Sequence, residues 1–377
     1  MIVSGEASGD LHGARLVEAI KRRLPDVYVC GMGGVELRRQ GVDILYDAAK
    51  MAVVGIIEVI AHLKDIRKAQ NILFNNLLNN RPQLLILIDY PDFNLMLAKK
   101  AKKLGIPVFY YISPQVWAWR SGRVKTIKKL VDKMAVILPF EKQFYKNHGV
   151  DVEYVGHPLM DSVKISQSRE EFRIHHSIPE DGIVVGILPG SRKKEIRTML
   201  PLFIEAAALL AKKHPGITFL LPQASSIRRE DLDSGGLANS SVAVKVITED
   251  RYNLMAACDL VMTASGTVTL ELAILNIPMA VSYRVSSLTH LIGRRLIKVD
   301  YASLVNLVAD KEIVPELLQK NATPENIAGA MEKIWPGQQA RETMLAGLSS
   351  VREKLGHGGA SKKAAQVALK TMDGGYI

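Results

Sequence analysis

The chain has 377 residues, 48% hydrophobic and 23% charged, which suits two globular domains that each bury a core. Its two cysteines, Cys30 and Cys258, exclude a disulfide scaffold and lack zinc-site spacing, so a reducing, cytoplasmic setting is expected. With 49 Lys and Arg against 38 Asp and Glu the formal charge is +11, which favours an anionic partner without choosing among nucleic acid, phospholipid headgroups and phosphorylated metabolites.

No window approaches the ~18 uninterrupted apolar residues of a spanning helix, and the first residues lack the pattern of an export signal. The predicted elements repeat one theme: a short apolar run, a punctuation of Gly, Pro, Ser or Asp, then a helix. Residues 2–3 lead into Ser4-Gly5-Glu6-Ala7-Ser8-Gly9-Asp10 and a helix over 11–23. Residues 27–30 lead into Gly31-Met32-Gly33-Gly34, read as a tight turn. Residues 84–88 run into Asp89-Tyr90-Pro91-Asp92 and a helix over 93–104, and 108–112 run into Ser113-Pro114-Gln115. The polar stretch 161–180 reads as an interdomain linker. The theme then restarts. Strands are predicted at 183–188, 217–221, 242–247 and 260–263, with helices over 199–212 and 268–275, and mostly helix after Pro324. The apolar runs do not alternate, so they belong to strands buried on both faces. The fold class expected is α/β: two Rossmann-like, doubly wound domains facing each other across a cleft, with ligands at the carboxyl ends of the strands.

Four segments offer chemistry. Ser265-Gly266-Thr267 precedes a helix whose first amides suit a phosphate, and Glu271, one turn on, suits a ribose diol; the alternative is that Ser265 caps the helix and Glu271 is solvated. Pro189-Gly190-Ser191-Arg192 is a second phosphate-type turn, with Arg192 either a diphosphate clamp or part of a solvated cluster with Lys193 and Lys194. Asp92 is placed to cap the helix beginning at Phe93, whereas Asp89 has no such local role and is the better general base. In the first loop Asp10 reads as an N-cap, and Glu6 is free to reach substrate. Asp231-Leu232-Asp233 reads as a solvated loop rather than a metal pair, and the histidines lack ligand spacing; His157 reads as structural. The most lipophilic run, 51–63, is either a wholly buried helix or a surface element that meets lipid, with Lys64, Arg67 and Lys68 at the headgroups.

Read together, Glu6-Ala-Ser-Gly-Asp10, Val54-Gly-Ile-Ile-Glu58, Asp89-Tyr-Pro-Asp-Phe-Asn94, Ser113-Pro-Gln-Val-Trp-Ala-Trp-Arg120, Leu138-Pro-Phe-Glu141, Gly156-His157, Leu188-Pro-Gly-Ser-Arg192, Ala264-Ser-Gly-Thr267 and Ser303-Leu-Val-Asn306 resemble the lipid-A-disaccharide synthase family. The resemblance runs from residue 2 to about 320. It implies a GT-B fold and a metal-independent, inverting transfer of 2,3-diacylglucosamine from UDP-2,3-diacylglucosamine to lipid X, with no cofactor. It implies domains at 1–165 and 166–349, with a C-terminal helix near 350–377 packing back on the first. By motif it assigns Asp89 as base, with Asp92 next in line, and Gly190, Ser191, Arg192, Ser265, Gly266, Thr267, Glu271 and Asn306 to the UDP donor. Glu6, Ser8, Gly9 and Asp10 fall on the acceptor side. The family is peripheral on the cytoplasmic face of the inner membrane, which turns Val53, Val54, Ile56, Ile57, Ile60 and Leu63 toward membrane or acyl contact. No nucleic-acid partner is implied, and a homodimer is left open. The rival readings are a UDP-sugar 2-epimerase of the same fold and a non-enzymatic basic lipid- or nucleic-acid-binding protein.

Overall fold

The computed structural model describes residues 1–51, 63–119, 121–285 and 299–374. Its chain divides into two compact units, Met1–Met160 with His357–Ile377, and Asp161–Gly356. The lipid-contact candidates Val53, Val54, Ile56, Ile57 and Ile60 lie outside the described residues. Leu63 opens the helix Leu63–Asn80.

The first unit holds seven parallel strands: β1 (Ile2–Ser4), β2 (Cys30–Gly33), β3 (Asp43–Asp47), β4 (Leu85–Ile88), β5 (Val108–Tyr111), β6 (Lys133–Val136) and β7 (Glu153–Tyr154). Their spatial order is β3-β2-β1-β4-β5-β6-β7. β1, β2, β4 and β5 are buried along their whole length, as strands sandwiched between helix layers must be. One core cluster, with Leu73, Leu87, Phe93, Tyr110 and Ile127, lies on one side of this sheet. The other, with Ile2, Leu16, Ile88 and Phe109, is completed by Ala364, Ala365 and Ala368 of the helix Ala360–Met372.

The second unit repeats the plan with β8 (Val184–Leu188), β9 (Thr218–Pro222), β10 (Val244–Ile247), β11 (Leu260–Ala264), β12 (Met279–Tyr283) and β13 (Glu316–Leu318), ordered β10-β9-β8-β11-β12-β13 and parallel throughout. In both sheets the strand order reverses beside the opening strand. That places a topological switch point between β1 and β4, and another between β8 and β11. Two helix-flanked parallel sheets of this order make a GT-B fold.

Two predicted elements change. Gly31-Met32-Gly33 is not a turn but most of β2. The stretch 161–180 is not a free linker: Ser168 caps the helix Arg169–His175 by accepting the Glu171 amide at 3.1 Å. Arg173, 4% exposed, and Arg169 both bind the Asp259 carboxylate, at 3.1 and 2.6 Å, and fix this helix to the second unit.

Candidate functional site

In the first unit, Ser4 pairs with Ile88 across the switch point, so Gly5-Glu6 and Asp89-Tyr90 leave the sheet side by side. Asp89 and Tyr90 both adopt left-handed backbone, with φ of +44° and +47°, a conformation that costs non-glycine residues about 1–3 kcal/mol each. The surroundings enforce it. The Asn94 side-chain amide donates to the Asp89 carbonyl at 2.6 Å and to the Ile88 carbonyl at 3.1 Å, and the Tyr110 hydroxyl donates to the same Asp89 carbonyl. Both donors are fully buried. On the other side the Tyr90 ring lies against Gly5, where a Cβ would come within 2.5 Å of two ring carbons. The Asp89 carboxyl is half-buried. Burial pushes it up to about 6, aided by the neighbouring Glu6 charge and opposed by a hydrogen bond from the Tyr90 amide. Such a group is an anion at neutral pH yet basic enough to accept a proton.

The adjacent strand ends on a third strained residue, Ile112, at φ +65°. The loop beyond it is pinned from beneath: Ser113 Oγ lies 2.6 Å from the Tyr145 hydroxyl, and Trp117 Nε1 donates to Glu141 at 3.1 Å. Glu141 also accepts the Ile137 and Leu138 amides at 3.2 and 2.9 Å, while burial pushes its carboxyl up to about 7.

In the second unit, Thr263 pairs with Leu188, so the loops after β8 and β11 are neighbours. Gly190 has φ +118°, and a Cβ there would fall 2.3 Å from the Glu195 carboxylate. That carboxylate accepts the Ser191 and Arg192 amides at 3.0 and 3.2 Å and pairs with the Arg192 guanidinium at 3.2 Å. Arg192 remains 69% exposed. After β11, a Cβ on Gly266 would meet nothing within 4 Å, so the backbone there is open to a ligand. Glu271 is 5% exposed and is held by Arg251 and, at 3.3 Å, by the Tyr252 hydroxyl. Burial raises its carboxyl while Arg251 opposes that shift.

The family model for lipid-A-disaccharide synthetase matches residues 1–371. The chain belongs to the lipid-A-disaccharide synthase family. It is 48% identical to the lipid-A-disaccharide synthase of Geobacter metallireducens over 99% of this chain and 97% of that protein. It is 43% identical to that of Nitrosococcus oceani over 99% and 96%. Among solved structures it resembles a UDP-GlcNAc 2-epimerase from Neisseria meningitidis (TM-score 0.63, 16% identity, 98% and 99% of the two chains covered). It also resembles MurG from Acinetobacter baumannii (TM-score 0.59, 15% identity, 98% of each chain covered). These two likenesses carry the fold alone.

Several motif residues of this transferase family occupy places other than the spacing implied. Asp92 does not cap: the helix is Pro91–Lys103, its cap position is Tyr90 without a side-chain bond, and Asp92 is exposed and paired with Arg123. As a base it is therefore the weaker candidate. Asp10 lies within the helix Ala7–Lys21, and its carboxylate receives the amides of Gly34, Glu36 and Leu37 at 2.7, 2.9 and 3.3 Å, capping the next helix, Val35–Arg39. That engagement commits the Asp10 carboxylate to the protein's own amides. Gly9 is buried at the same turn, whereas Glu6 and Ser8 are exposed. Ser265 is not a cap either: its hydroxyl donates to the Ala302 carbonyl at 2.9 Å, and Thr267 holds the cap position. Glu271 is not solvated. Asn306 is fully buried and saturated, bonding Val314 O and Glu316 through its amide nitrogen and accepting the Ile313 and Val314 amides through its oxygen. Its polar atoms are therefore all engaged within the protein. Asp231 and Asp233 sit in the helix Arg229–Ser234, not a loop, and are engaged by Lys193 at 3.0 Å and Arg229 at 3.1 Å. His157 is buried, accepts the Leu159 amide and is held neutral by burial.

Sequence reasoning missed Glu195, Arg251 and Glu316. Glu195 had only a spacing signal, since it lies three residues past Arg192 as in a capping box although Arg is not a cap residue. Glu316 had none: it gathers the Ala302 and Ser303 amides, the Ser303 hydroxyl and Asn306 from 10–14 residues away.

Proposed function

We propose that this chain transfers 2,3-diacylglucosamine from UDP-2,3-diacylglucosamine to 2,3-diacylglucosamine 1-phosphate, releasing UDP and a β-1,6-linked disaccharide 1-phosphate. The observation that carries this reading is the 48% identity to a lipid-A-disaccharide synthase over 99% of the chain. Asp89 takes the proton from the acceptor's 6-hydroxyl as that oxygen bonds to the donor's anomeric carbon. The bond from that carbon to the diphosphate oxygen breaks on the opposite face, so the configuration inverts. Charge on the departing UDP is met by the Arg192 guanidinium and the amides at Gly266–Thr267, while Glu271 holds the ribose diol. Glu6 faces the acceptor and keeps Asp89 basic. Since acylated substrates reside in a bilayer, the enzyme works at the cytoplasmic face of the inner membrane as a peripheral protein. No helix among the described residues is long and apolar enough to cross it.

The test is transfer by the purified chain with both acyl-sugars, following disaccharide and UDP together. Asp89→Asn is expected to abolish transfer with UDP affinity nearly unchanged; surviving turnover puts the base elsewhere. Arg192→Ala is expected to lower turnover about 10²–10³-fold, as loss of an oxyanion donor does. Activity is expected to persist in excess chelator.

A further inference from the structure

The chain's positive charge is concentrated in one short stretch. Residues 99–146 carry twelve Lys and Arg against two acids, Asp132 and Glu141, a surplus of ten out of the chain's +11. The second unit, Asp161–Gly356, is nearly balanced, with 23 basic against 22 acidic residues. Nine of these twelve basic residues lie on three helices of the first unit. The helices Pro91–Lys103, Val124–Leu130 and Pro139–Asn147 bury Phe93, Leu97, Ala101, Val124, Ile127 and Tyr145 in the same core cluster. They therefore cover the same face of the first sheet, and their remaining sides point outward.

Lys99, Lys103, Lys125, Lys128, Lys129 and Lys146 are exposed there and form no ion pair among the described residues. Three of the acids nearby are already engaged. Asp132 binds Lys102 at 2.6 Å and the Val108 amide, Asp151 binds Lys133, and Glu141 is buried against amides. A face of six unpaired ammonium groups is costly to maintain through self-repulsion unless an anionic surface meets it.

We propose that this three-helix lysine face is the electrostatic docking surface of the enzyme, and that its partner is a layer of anionic phospholipid headgroups. The chemistry favours lipid over nucleic acid. Ten of the twelve basic residues are Lys, whose point charges on flexible stems suit laterally mobile phosphates better than they suit fixed bidentate recognition. The aromatic rings on these helices, Phe93, Phe140, Phe144 and Tyr145, are buried or half-buried, so the helices themselves offer no row of rings on which to stack bases. The face is made of residues other than the lipophilic run 51–63. It supplies attraction to the bilayer, whereas acyl contact is a separate, apolar matter. The proposal rests on the acyl-sugar reading only for why a bilayer should be the surface met, so the two are tested apart.

Vesicle co-sedimentation is measured with phosphatidylcholine alone and with phosphatidylcholine mixed with phosphatidylglycerol, over a range of salt. The protein is expected to bind the anionic vesicles preferentially and to release as salt rises. The triple variant K125E/K128E/K129E is expected to lose at least roughly 100-fold in partitioning, the loss that removal of three lysines alone from an anionic surface implies. A control with the same change in net charge but placed in the second unit, K212E/K311E/K320E, is expected to bind as the parent does. Equal loss in both triples, no loss in either, or tighter binding to duplex nucleic acid than to anionic vesicles at the same salt would each overturn the proposal. Should the charge-reversed protein fail to fold, as judged by circular dichroism, K125Q/K128Q/K129Q carries the same comparison. Transfer in detergent micelles is expected to be unaffected by either triple. Loss of transfer in the parent protein itself counts against the acyl-sugar reading and leaves the vesicle result standing.

Discussion

Asp89, the proposed base, sits on backbone strain that its neighbours sustain. Two buried donors hold its carbonyl, and the Tyr90 ring that follows fills the space over Gly5. Gly5→Ala must push that ring aside. It is expected to lower stability by about 1–3 kcal/mol and to reduce turnover more than substrate affinity, as read by denaturant unfolding and steady-state kinetics. An equal loss in a variant with unchanged kcat would show that the contact is structural only. The raised pKa of Asp89 makes a second prediction. Transfer is expected to rise with pH through a midpoint of about 6, because only the ionised carboxylate accepts a proton. Glu6→Gln removes a negative neighbour, favours that ionised form and is expected to move the midpoint down; a midpoint that stays put or rises would remove Glu6 from this role. At this scale the sequence disclosed the chemical type of each candidate but not its geometry. Asp89 could be singled out because it ends an apolar strand. Asp10 and Asp92 were misplaced because an aspartate near a helix start looks alike whether it caps its own helix, caps the next one or pairs with a distant arginine.

Elements in this protein are joined by buried and half-buried carboxylates. Glu141 ties the start of the helix Pro139–Asn147 to Trp117, and Glu316 on β13 organises the loop at Ala302–Ser303 that receives Ser265. For Glu141 the folded carboxyl, near 7, binds its proton more tightly than the unfolded one near 4.5. Between those values the native state holds more protons, so stability falls as pH rises from about 4.5 to 7. Glu141→Gln cannot titrate. The parent is therefore expected to lose about 1–3 kcal/mol more than this variant between pH 5 and 8 in urea unfolding, and parallel pH profiles would count against the raised pKa. The strands were legible because buried parallel strands are short, continuous apolar runs. The helix Arg169–His175 was not, since its hold on the second unit is two arginines reaching one aspartate about 90 residues away, a pairing that leaves no periodic trace. Nor could spacing reveal that Asn306 spends all its hydrogen bonds on the protein.

At the scale of the molecule, two repeats of one strand plan explain why the candidate residues fall in two pairs of loops, and that much followed from the order of apolar runs. The return of the chain to the first unit did not follow from pattern, because Ala364, Ala365 and Ala368 are small and carry little hydrophobic signal. Truncation after Gly356 strips their layer from Ile2, Leu16 and Phe109. It is expected to destabilise the first unit by at least about 3 kcal/mol while sparing the second, a difference that hydrogen exchange can read unit by unit. Uniform protection across both would show that the helix Ala360–Met372 contributes little.

That closing helix also bears on how the protein is made. The first stretch of this unit leaves the ribosome first, yet the segment that seals one side of its sheet begins about 200 residues after that stretch ends, a delay of roughly 10–40 s at ordinary translation speed. The second unit is one continuous stretch and is free to complete itself in the interval. The nascent first sheet waits half-covered, with apolar side chains showing, so during synthesis this half of the polypeptide is the one that calls for chaperone protection.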